Sequence, residues 1–218
     1  MSLDPKIVDT LKGVSTATLT TMRGTKPITA RQGRVVGQAF TLRFVPARED
    51  LATPASWATP ISTRAAIEDM PEGCVAVADA MGVSDAGIFG DILCARMVKR
   101  GVAGLVTDGV VRYAQGVLAS GVNVWCSGVA GLTFVGWQQP INCGGVAVFP
   151  DDIIVAGEDG AVLIPAAFLD EVLAEAPEQE RMEGWIMTEI KRGVPLPGLY
   201  PMNAEAKERY QSSKESQT

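Results

Sequence analysis

An arginine at the end of an apolar segment is the first feature of this sequence that could do chemistry. Arg112 and Tyr113 close the segment "VAGLVTDGVVRY", and the earlier segment "FGDIL" places Gly90 and Asp91 where a helix would begin. In α/β sheets, ligands gather at the carboxyl ends of strands and at the N-termini of the following helices. A guanidinium facing the free N–H groups of residues 91–94 would form a pocket for a small carboxylate or phosphate.

The same residue types also have purely structural uses. Arg112 could pair with Asp108 or with a C-terminal carboxylate, and Asp91 could be an ordinary N-cap of its helix. The glycines around them could simply form turns. Spacing alone therefore leaves both the binding site and the structural interpretation open.

Composition narrows the class of protein. The chain has 218 residues, of which 47% are hydrophobic and 20% are charged, so it can form one domain with a full core. The formal net charge of −6 argues against nucleic acid as a partner. No apolar segment is long enough to span a membrane, and the N-terminus does not resemble a signal peptide. We expect a single domain over 1–218, with a core at about 12–195 and a tail at 196–218, in a cytoplasmic protein.

The absence of histidine limits the chemistry further. With no histidine in the chain, Ser-His-Asp and Cys-His catalysis and any histidine-ligated metal are excluded. Proton transfer would depend on carboxylates, Lys, Tyr, Cys or water, and any metal would be a hard cation on oxygen ligands. The four cysteines are widely spaced, which predicts free and mostly buried thiols.

The order of elements predicts an α/β fold with a parallel βαβ core. Apolar strands at 74–79, 102–109 and 122–128 alternate with helices at 91–100 and 112–120. Before them, we expect a helix that breaks at Gly13, a second helix opened by Ser15 or Thr16, a strand at 33–46, a loop at 46–62 and a short helix at 63–70. After them, we expect β-hairpins at 141–165 and an acidic helical arm at 166–193, kinked near Pro177, with disorder after Tyr210.

The segment "GDILCARMVKRGVAGLVTDGVVR", residues 90–112, resembles the core signature of a known superfamily. That superfamily contains 4-hydroxy-4-methyl-2-oxoglutarate aldolase and the regulator of ribonuclease E activity. Its class II aldolases carry an Asp, twenty intervening residues and then Arg-Asp, and Asp91 and Arg112 match this spacing. The segments "GRVVGQAFTL", "PEGCVAVAD", "GVNVWCSG" and "VFPDDIIVAGEDGAVLIP" also resemble family segments. The resemblance implies a swivelling α/β/β-type domain that assembles as a homotrimer or as a hexamer.

The resemblance also implies roles for individual residues. Arg112 would bind the substrate and stabilise an enolate, and Asp91 would contact a metal-bound water. A glutamate from the adjacent subunit would complete the shell of Mg²⁺ or Mn²⁺ through water; Glu183 is the first candidate, with Glu180 and Glu189 as alternatives. The backbone amides at the start of the helix would hold the carboxylate of a pyruvate-derived acid, so the substrate-binding set is Gly90, Asp91, Ile92, Leu93 and Arg112.

Tyr113 departs from the family pattern. Family aldolases place an acidic metal ligand directly after the arginine, and a neutral phenol is a poor ligand for Mg²⁺. Asp91, Asp108 or another carboxylate could hold the metal differently, Tyr113 could donate a hydrogen bond to the substrate, or the pocket could bind an acid without converting it. Tyr113 could also merely pack at the start of a helix.

Two hypotheses for the function follow. The first is a metal-assisted lyase on small 2-oxo acids, which cleaves a 4-hydroxy-2-oxo acid or decarboxylates oxaloacetate, with activity reduced or shifted by Tyr113. The alternative is a non-catalytic member that binds a small acid or acts as a protein-binding regulator. Tyr113 counts against the first hypothesis.

Overall fold

The computed structural model describes residues 3–16, 26–27, 33–45, 53, 55–83, 87–129 and 133–215. The chain divides into two compact units, Met1–Asp170 and Glu171–Thr218. The first unit contains the sheet and the predicted binding residues, and the second consists of helices.

The first unit alternates strands and short helices. Its helices are α1 (Pro5–Lys12), α2 (Thr63–Asp69), α3 (Asp91–Lys99) and α4 (Ala114–Ala119). Its strands are β1 (Lys26–Pro27), β2 (Val35–Val45), β3 (Val75–Asp79), β4 (Gly104–Thr107), β5 (Val110–Val111), β6 (Val124–Cys126), β7 (Gly128–Val129), β8 (Thr133–Trp137), β9 (Ile141–Cys143), β10 (Val146–Val148), β11 (Ile153–Gly157) and β12 (Gly160–Ile164).

The main sheet has eight strands, seven of them in the order β1-β6-β4-β3-β2-β11-β12, with β8 paired to β2 off this path. Strands β2, β3, β4 and β6 run parallel to one another. The other members, β1, β8, β11 and β12, pair antiparallel. The predicted α/β fold with a parallel βαβ core is therefore confirmed.

Both faces of the parallel strands are buried, which explains their continuous apolar sequences. One core cluster packs the sheet against α2, α3 and α4 and includes Phe44, Met70 and Met97. The opposite cluster includes Val77 and Trp125, whose indole N–H donates to the Gly157 carbonyl at 2.7 Å. Successive residues of β3 alternate between the two clusters, as the pleat of a strand requires.

The hairpins predicted at 141–165 are present. Strands β9 and β10 pair antiparallel around Gly144 and Gly145, which adopt φ angles of 60° and 77°. Such left-handed angles at both turn positions favour glycine and give a tight two-residue turn. Strands β11 and β12 form the second hairpin, and β11 also pairs with β2. The β11–β12 hairpin thus extends the main sheet.

The second unit contains most of α5 (Leu169–Lys191) and all of α6 (Ala204–Glu215). Pro177 lies inside α5. The predicted disorder after Tyr210 is wrong for residues 211–215, because α6 continues to Glu215, and residues 216–218 lie outside the described residues. Its last turns are held by side-chain contacts: the Tyr210 hydroxyl donates to Glu178 at 3.0 Å, and the Lys214 ammonium lies 2.7 Å from the same carboxylate.

The elements predicted before the parallel core are confirmed in part. The strand at 33–46 and the helix at 63–70 are confirmed as β2 and α2, and the loop at 46–62 contains a 3-10 turn at Ser56–Ala58. The second helix expected after Ser15 or Thr16 lies mostly outside the described residues. All four cysteines are free and buried, as predicted. No helix among the described residues is both long enough and apolar enough to cross a membrane.

Candidate functional site

The backbone brings Arg112 to the start of α3. Strands β3 and β4 are parallel neighbours, and the segment that leads from β3 into α3 returns beside β5. There the Ile88 N–H donates to the Val110 carbonyl at 2.9 Å, and the Arg112 N–H donates to the Phe89 carbonyl at 2.9 Å. These two hydrogen bonds place the residue after β5 next to Gly90.

The side chain of Arg112 lies over Gly90, the N-cap of α3. A Cβ atom placed on Gly90 would lie 3.5 Å from both Cγ and Nε of Arg112 and 3.4 Å from Cδ2 of Tyr113. No side chain caps the helix, and its first α-helical hydrogen bond runs from the Cys94 N–H to the Gly90 carbonyl. The N–H groups of residues 91–93 have no carbonyl acceptor within the helix, and the Ile92 N–H donates to the Asp91 carboxylate. The N–H groups of Asp91 and Leu93 therefore remain as donors beside a guanidinium.

Asp91 is the first helical residue, so the N-cap alternative for it is wrong. One carboxylate oxygen, Oδ1, accepts a hydrogen bond of 2.9 Å from the Ile92 N–H. The other side of the carboxylate lies against Gly116 of α4. A Cβ atom on Gly116 would lie 2.7 Å from Cβ and 2.9 Å from Oδ2 of Asp91, closer than such contacts occur. Asp91 can therefore keep this position only because residue 116 has no side chain.

The alternative pairing of Arg112 with Asp108 does not occur. The Asp108 carboxylate instead accepts hydrogen bonds from the backbone N–H groups of Ala80 at 2.8 Å and Gly82 at 3.2 Å. Arg112 is exposed and forms no ion pair with any residue that the structure describes. Its guanidinium carbon lies 5.8 Å from the centre of the Tyr113 ring. The positive charge is thus available to an anionic ligand.

Tyr113 holds an unusual backbone conformation beside this charge. It is the N-cap of α4, with φ 54° and ψ 48°, in the left-handed region that bulky residues rarely adopt. Its side chain is 67% exposed and makes no capping hydrogen bond. Most of the ring faces outward, and its Cδ2 atom lies beside Gly90, so its position agrees with the alternative that Tyr113 merely packs at the start of a helix.

Few oxygen ligands for a divalent metal lie at the start of α3. Asp91 is the carboxylate that lies beside the start of α3, and no group of three acidic or cysteine side chains that could hold a metal occurs among the described residues. A single carboxylate does not make a Mg²⁺ site without further oxygen ligands. The part of one chain that the structure describes therefore does not fit a tightly held metal at the start of α3.

The candidate glutamates of the second unit differ in their surroundings. Glu189 is buried and is flanked by the guanidinium groups of Arg192 and Arg209. Glu183 is half-buried and accepts a hydrogen bond of 2.7 Å from the neutral Gln179 amide. Among the described residues, cations therefore neutralise Glu189, whereas Glu183 has no ion-pair partner. Glu180 is half-buried and also has an interaction partner.

A cysteine nucleophile is not available at this site. Cys94 lies in the first turn of α3, and burial raises the pKa of its thiol to about 12, with a smaller contribution from the charge of Asp91. A thiol with that pKa stays protonated near neutral pH and is a poor nucleophile. The chemistry left to the site is anion binding by Arg112 and the helix amides, with Asp91 as the adjacent carboxylate.

Sequence inspection missed Gly116 as part of the site. A glycine inside the short helix α4 is a signal, because an isolated helical glycine often has a packing reason. The partner of that packing, Asp91, lies 25 positions earlier in the chain and becomes evident only when α3 and α4 are placed together.

Comparison with known proteins gives consistent matches. The family described as "RraA-like: Aldolase/RraA" matches residues 4–163. A protein of Halalkalibacterium halodurans with the provisional name 4-hydroxy-4-methyl-2-oxoglutarate aldolase is 32% identical over 179 residues, which cover 80% of this chain and 78% of that protein. Protein DlpA of Legionella pneumophila is 30% identical over 169 residues; these cover 75% of this chain but only 26% of DlpA.

A solved structure agrees with these matches. It is Streptomyces coelicolor RraAS2, described as an unusual member of the RNase ES inhibitor RraA protein family. This chain is 31% identical to it, with a TM-score of 0.74, and the likeness covers 85% of this chain and 97% of that one. The matched family and the matched fold span the strands and helices that place Arg112 over the start of α3, and this chain is a member of the Aldolase/RraA family.

Proposed function

We propose that this protein is a lyase for small 2-oxo acids, which cleaves a 4-hydroxy-2-oxo acid or decarboxylates oxaloacetate. One observation carries the proposal: the guanidinium of Arg112, which has no ion-pair partner among the described residues, lies over Gly90, where α3 presents the N–H groups of Asp91 and Leu93 as donors. Donors that converge from a helix N-terminus and an arginine favour a bound carboxylate. Membership of the Aldolase/RraA family supports the class of reaction.

Both reactions require stabilisation of the negative charge that develops on the enolate of pyruvate. In the cleavage, the 4-hydroxyl loses its proton, the C3–C4 bond breaks, and the electron pair passes to the 2-oxo oxygen to form the enolate of pyruvate. In the decarboxylation, CO₂ leaves and the same enolate remains. We assign the helix amides to the substrate carboxylate and Arg112 to the enolate oxygen, because preorganised donors at a developing charge lower the barrier.

Asp91 is the proposed proton acceptor, directly or through water. Its Oδ1 already accepts the Ile92 N–H, which leaves Oδ2 against the α4 backbone at Gly116. A carboxylate in this position can accept the hydroxyl proton and later return a proton to C3 of the enolate. Both roles depend on the Asp91 position that Gly116 permits.

A divalent metal, Mg²⁺ or Mn²⁺, is part of the proposal only as a weakly held group. When bound, such a metal would polarise the 2-oxo group. In this chain Tyr113 stands where family aldolases have a carboxylate, so Asp91, water and a glutamate of another subunit would have to supply the ligands. We keep Glu183 as that glutamate, because Arg192 and Arg209 already neutralise Glu189.

A second candidate function is favoured by Tyr113 itself. A site that binds a small acid but holds no metal would serve as a sensor or as a protein-binding regulator. The exposed ring beside Arg112 is compatible with that role, because an exposed aromatic residue next to an arginine is typical of binding surfaces.

Pyruvate release separates the two functions. We would incubate the protein with a panel of 4-hydroxy-2-oxo acids and with oxaloacetate, with and without Mg²⁺ or Mn²⁺. A lyase releases pyruvate, and the Arg112→Ala variant loses the release. Wild-type protein that binds oxalate at this site but releases no pyruvate under any of these conditions would contradict the lyase and support the acid-binding regulator.

A further inference from the structure

A cleft lies at the carboxyl ends of the central parallel strands, and none of its lining residues belongs to the site at Arg112. It has a volume of about 730 Å³, in the size range of ligand pockets. Arg43 of β2, Asp79 at the end of β3 and Asp108 after β4 contribute its charged groups. The β9–β10 hairpin covers one side with Asn142 and with the turn at Gly144 and Gly145. The ends of parallel strands are the usual place for ligands in such sheets.

The charges in this cleft are not paired with one another. Arg43 and Asp79 are register partners on adjacent strands, yet no ion pair joins them, and Arg43 is exposed. Asp79 is only 6% exposed, and its carboxylate accepts hydrogen bonds from the backbone N–H groups of Met81 at 2.8 Å and Asn142 at 3.4 Å. In the part of the chain that the structure describes, neither Asp79 nor Asp108 has a cationic partner.

The two carboxylates also interact with each other. Burial raises the pKa of the Asp108 carboxyl, and the nearby charge of Asp79 raises it further, while backbone N–H groups oppose the shift. Buried carboxylates are normally compensated by a cation. A positively charged group placed between Asp79 and Asp108 would therefore be favourable.

The cleft has an apolar wall as well. Met81 and Phe149 both line it, and their side chains are 57% and 54% exposed. Two large apolar side chains exposed at the mouth of one polar cleft indicate that the ligand has an apolar part. The lining thus offers a guanidinium for an anion, two carboxylates for a cation and an apolar surface.

We propose that this cleft is a second ligand site, which binds an α-amino acid with a large apolar side chain. Arg43 takes the carboxylate, Asp79 and Asp108 take the ammonium group, and Phe149 and Met81 cover the side chain. A bare metal cation is the weaker choice, because the cleft offers two carboxylates rather than a full oxygen shell and Arg43 repels a cation.

Calorimetric titration of the full chain with L-leucine, L-methionine and L-phenylalanine tests the proposal. We expect saturable binding, and we expect 4-methylpentanoate and leucinamide, which each lack one charge of leucine, to bind roughly tenfold more weakly or worse. Glycine should also bind more weakly than leucine, because it lacks the apolar part. The ammonium site is tested by changing the ligand and not the protein. Substitution of Asp79 or Asp108 would also remove the hydrogen bonds that these carboxylates accept from backbone N–H groups.

Variants of exposed residues complete the test. Arg43→Gln should weaken leucine binding by roughly tenfold or more, and Phe149→Ser should weaken leucine but not glycine. Lys99→Gln, which removes a distant exposed cation on α3, and Arg112→Ala should both leave leucine binding unchanged. The proposal is overturned if no amino acid binds, if Arg43→Gln has no effect, or if Arg112→Ala abolishes binding. Binding of Mg²⁺ alone that Asp108→Asn removes, with no amino-acid binding, would also overturn it.

Discussion

Arg112 has an exposed guanidinium, a position over Gly90 and no ion-pair partner among the described residues. Oxalate is a planar mimic of the pyruvate enolate, and its affinity for wild type and for variants measures how much the charge of Arg112 contributes to anion binding. We expect Arg112→Ala to weaken oxalate binding by about 1.5–3 kcal/mol, or roughly tenfold to a hundredfold, because hydrogen bonds to charged groups have this scale. Calorimetry gives the affinity directly.

Arg96 provides a matched control for that measurement. It lies on the same helix, α3, but is paired with Glu68 through two hydrogen bonds of 2.6 and 2.7 Å. Arg96→Ala removes the same charge from the chain and should leave oxalate binding intact. Equal affinity of wild type and Arg112→Ala would rule out the anion site.

Tyr113 occupies the position where the resemblance to family aldolases leads us to expect an acidic metal ligand. We expect Tyr113→Asp to tighten Mg²⁺ and Mn²⁺ binding and to speed pyruvate release together, because the new carboxylate is a hard oxygen ligand beside Arg112. The backbone should accept the change, since aspartate tolerates the left-handed conformation better than tyrosine does. Metal titration and the lyase assays measure both effects.

Two further variants test this explanation. Tyr113→Asn suits the same backbone but adds no charge, so it should not strengthen metal binding. Asp91→Ala in the Tyr113→Asp background should remove the gain, because both carboxylates would serve one metal. If wild type already binds Mg²⁺ as tightly as Tyr113→Asp and is at least as fast, the tyrosine is not a defect, and the ligand must be sought at Asp108 or among the C-terminal glutamates.

At the level of elements, the contact between α3 and α4 depends on Gly116. Alanine normally favours a helix interior over glycine by about 1 kcal/mol. Here the added methyl group would come within 2.7 Å of Asp91 Cβ, and overpacking of this kind costs about 1–3 kcal/mol. We expect Gly116→Ala to move Asp91 and to reduce pyruvate release while oxalate binding at Arg112 is largely kept.

Gly184 of α5 is the control for helix propensity. A Cβ atom there would meet no other atom within 4 Å, so Gly184→Ala should raise the unfolding temperature slightly without affecting catalysis. Should Gly116→Ala also stabilise the protein and retain full activity, the proposed dependence of Asp91 on Gly116 would be wrong. Thermal unfolding and steady-state assays of both variants decide this.

The contact between α5 and α6 predicts a response to acid. Hydrogen bonds from Lys214, Arg181 and Tyr210 lower the pKa of Glu178 from 4.5 to about 2. A carboxyl group with a lowered pKa stabilises the folded form fully above its ordinary pKa, and this contribution is lost as the pH falls through the lowered value. The stabilisation from Glu178 should therefore disappear between pH 4.5 and about 2.

Glu178→Gln isolates this effect from the titration of other carboxylates. The difference in unfolding temperature between wild type and Glu178→Gln should be largest above pH 4.5 and should shrink as the pH falls towards 2. A difference that stays constant over this range would show that the charge of Glu178 does not stabilise the helix pair. The contribution is expected to be small, because the ion pairs of Glu178 are partly exposed.

For the whole molecule, we predict assembly as a homotrimer or a hexamer. The proposed metal shell needs oxygen ligands besides Asp91, no group of three potential ligands occurs among the described residues, and Glu183 of a neighbouring subunit could supply one. Light scattering coupled to size-exclusion chromatography should give a mass of three or six chains of 23.0 kDa. A monomeric mass at micromolar concentration would contradict both the assembly and the role proposed for Glu183.

The sheet and the position of Arg112 could be predicted from the sequence because the signals are local. Strands β3 and β4 are continuous apolar runs, and parallel neighbours must present their ends at one edge. Helix α6 was not predicted, because it is highly polar and its end is held by the contacts of Tyr210 and Lys214 with α5.

Contacts between distant residues explain what else was missed. Asp91 and Gly116 meet only when two helices pack, and Arg43, Asp79 and Asp108 share a cleft only because three strands end together. Each residue on its own has an ordinary local explanation as a cap, a turn or a strand end. Chemistry that arises from such distant combinations is visible only in the fold.

The left-handed backbone at Tyr113 has a consequence for the history of this chain. That conformation suits aspartate or asparagine better than tyrosine, so the backbone at this position would hold an aspartate with less strain than the tyrosine that occupies it. Tyrosine and aspartate codons differ only in their first base. A single point mutation could therefore exchange the two side chains at this position without rebuilding the loop, and gain or loss of metal dependence would be a short evolutionary step in either direction.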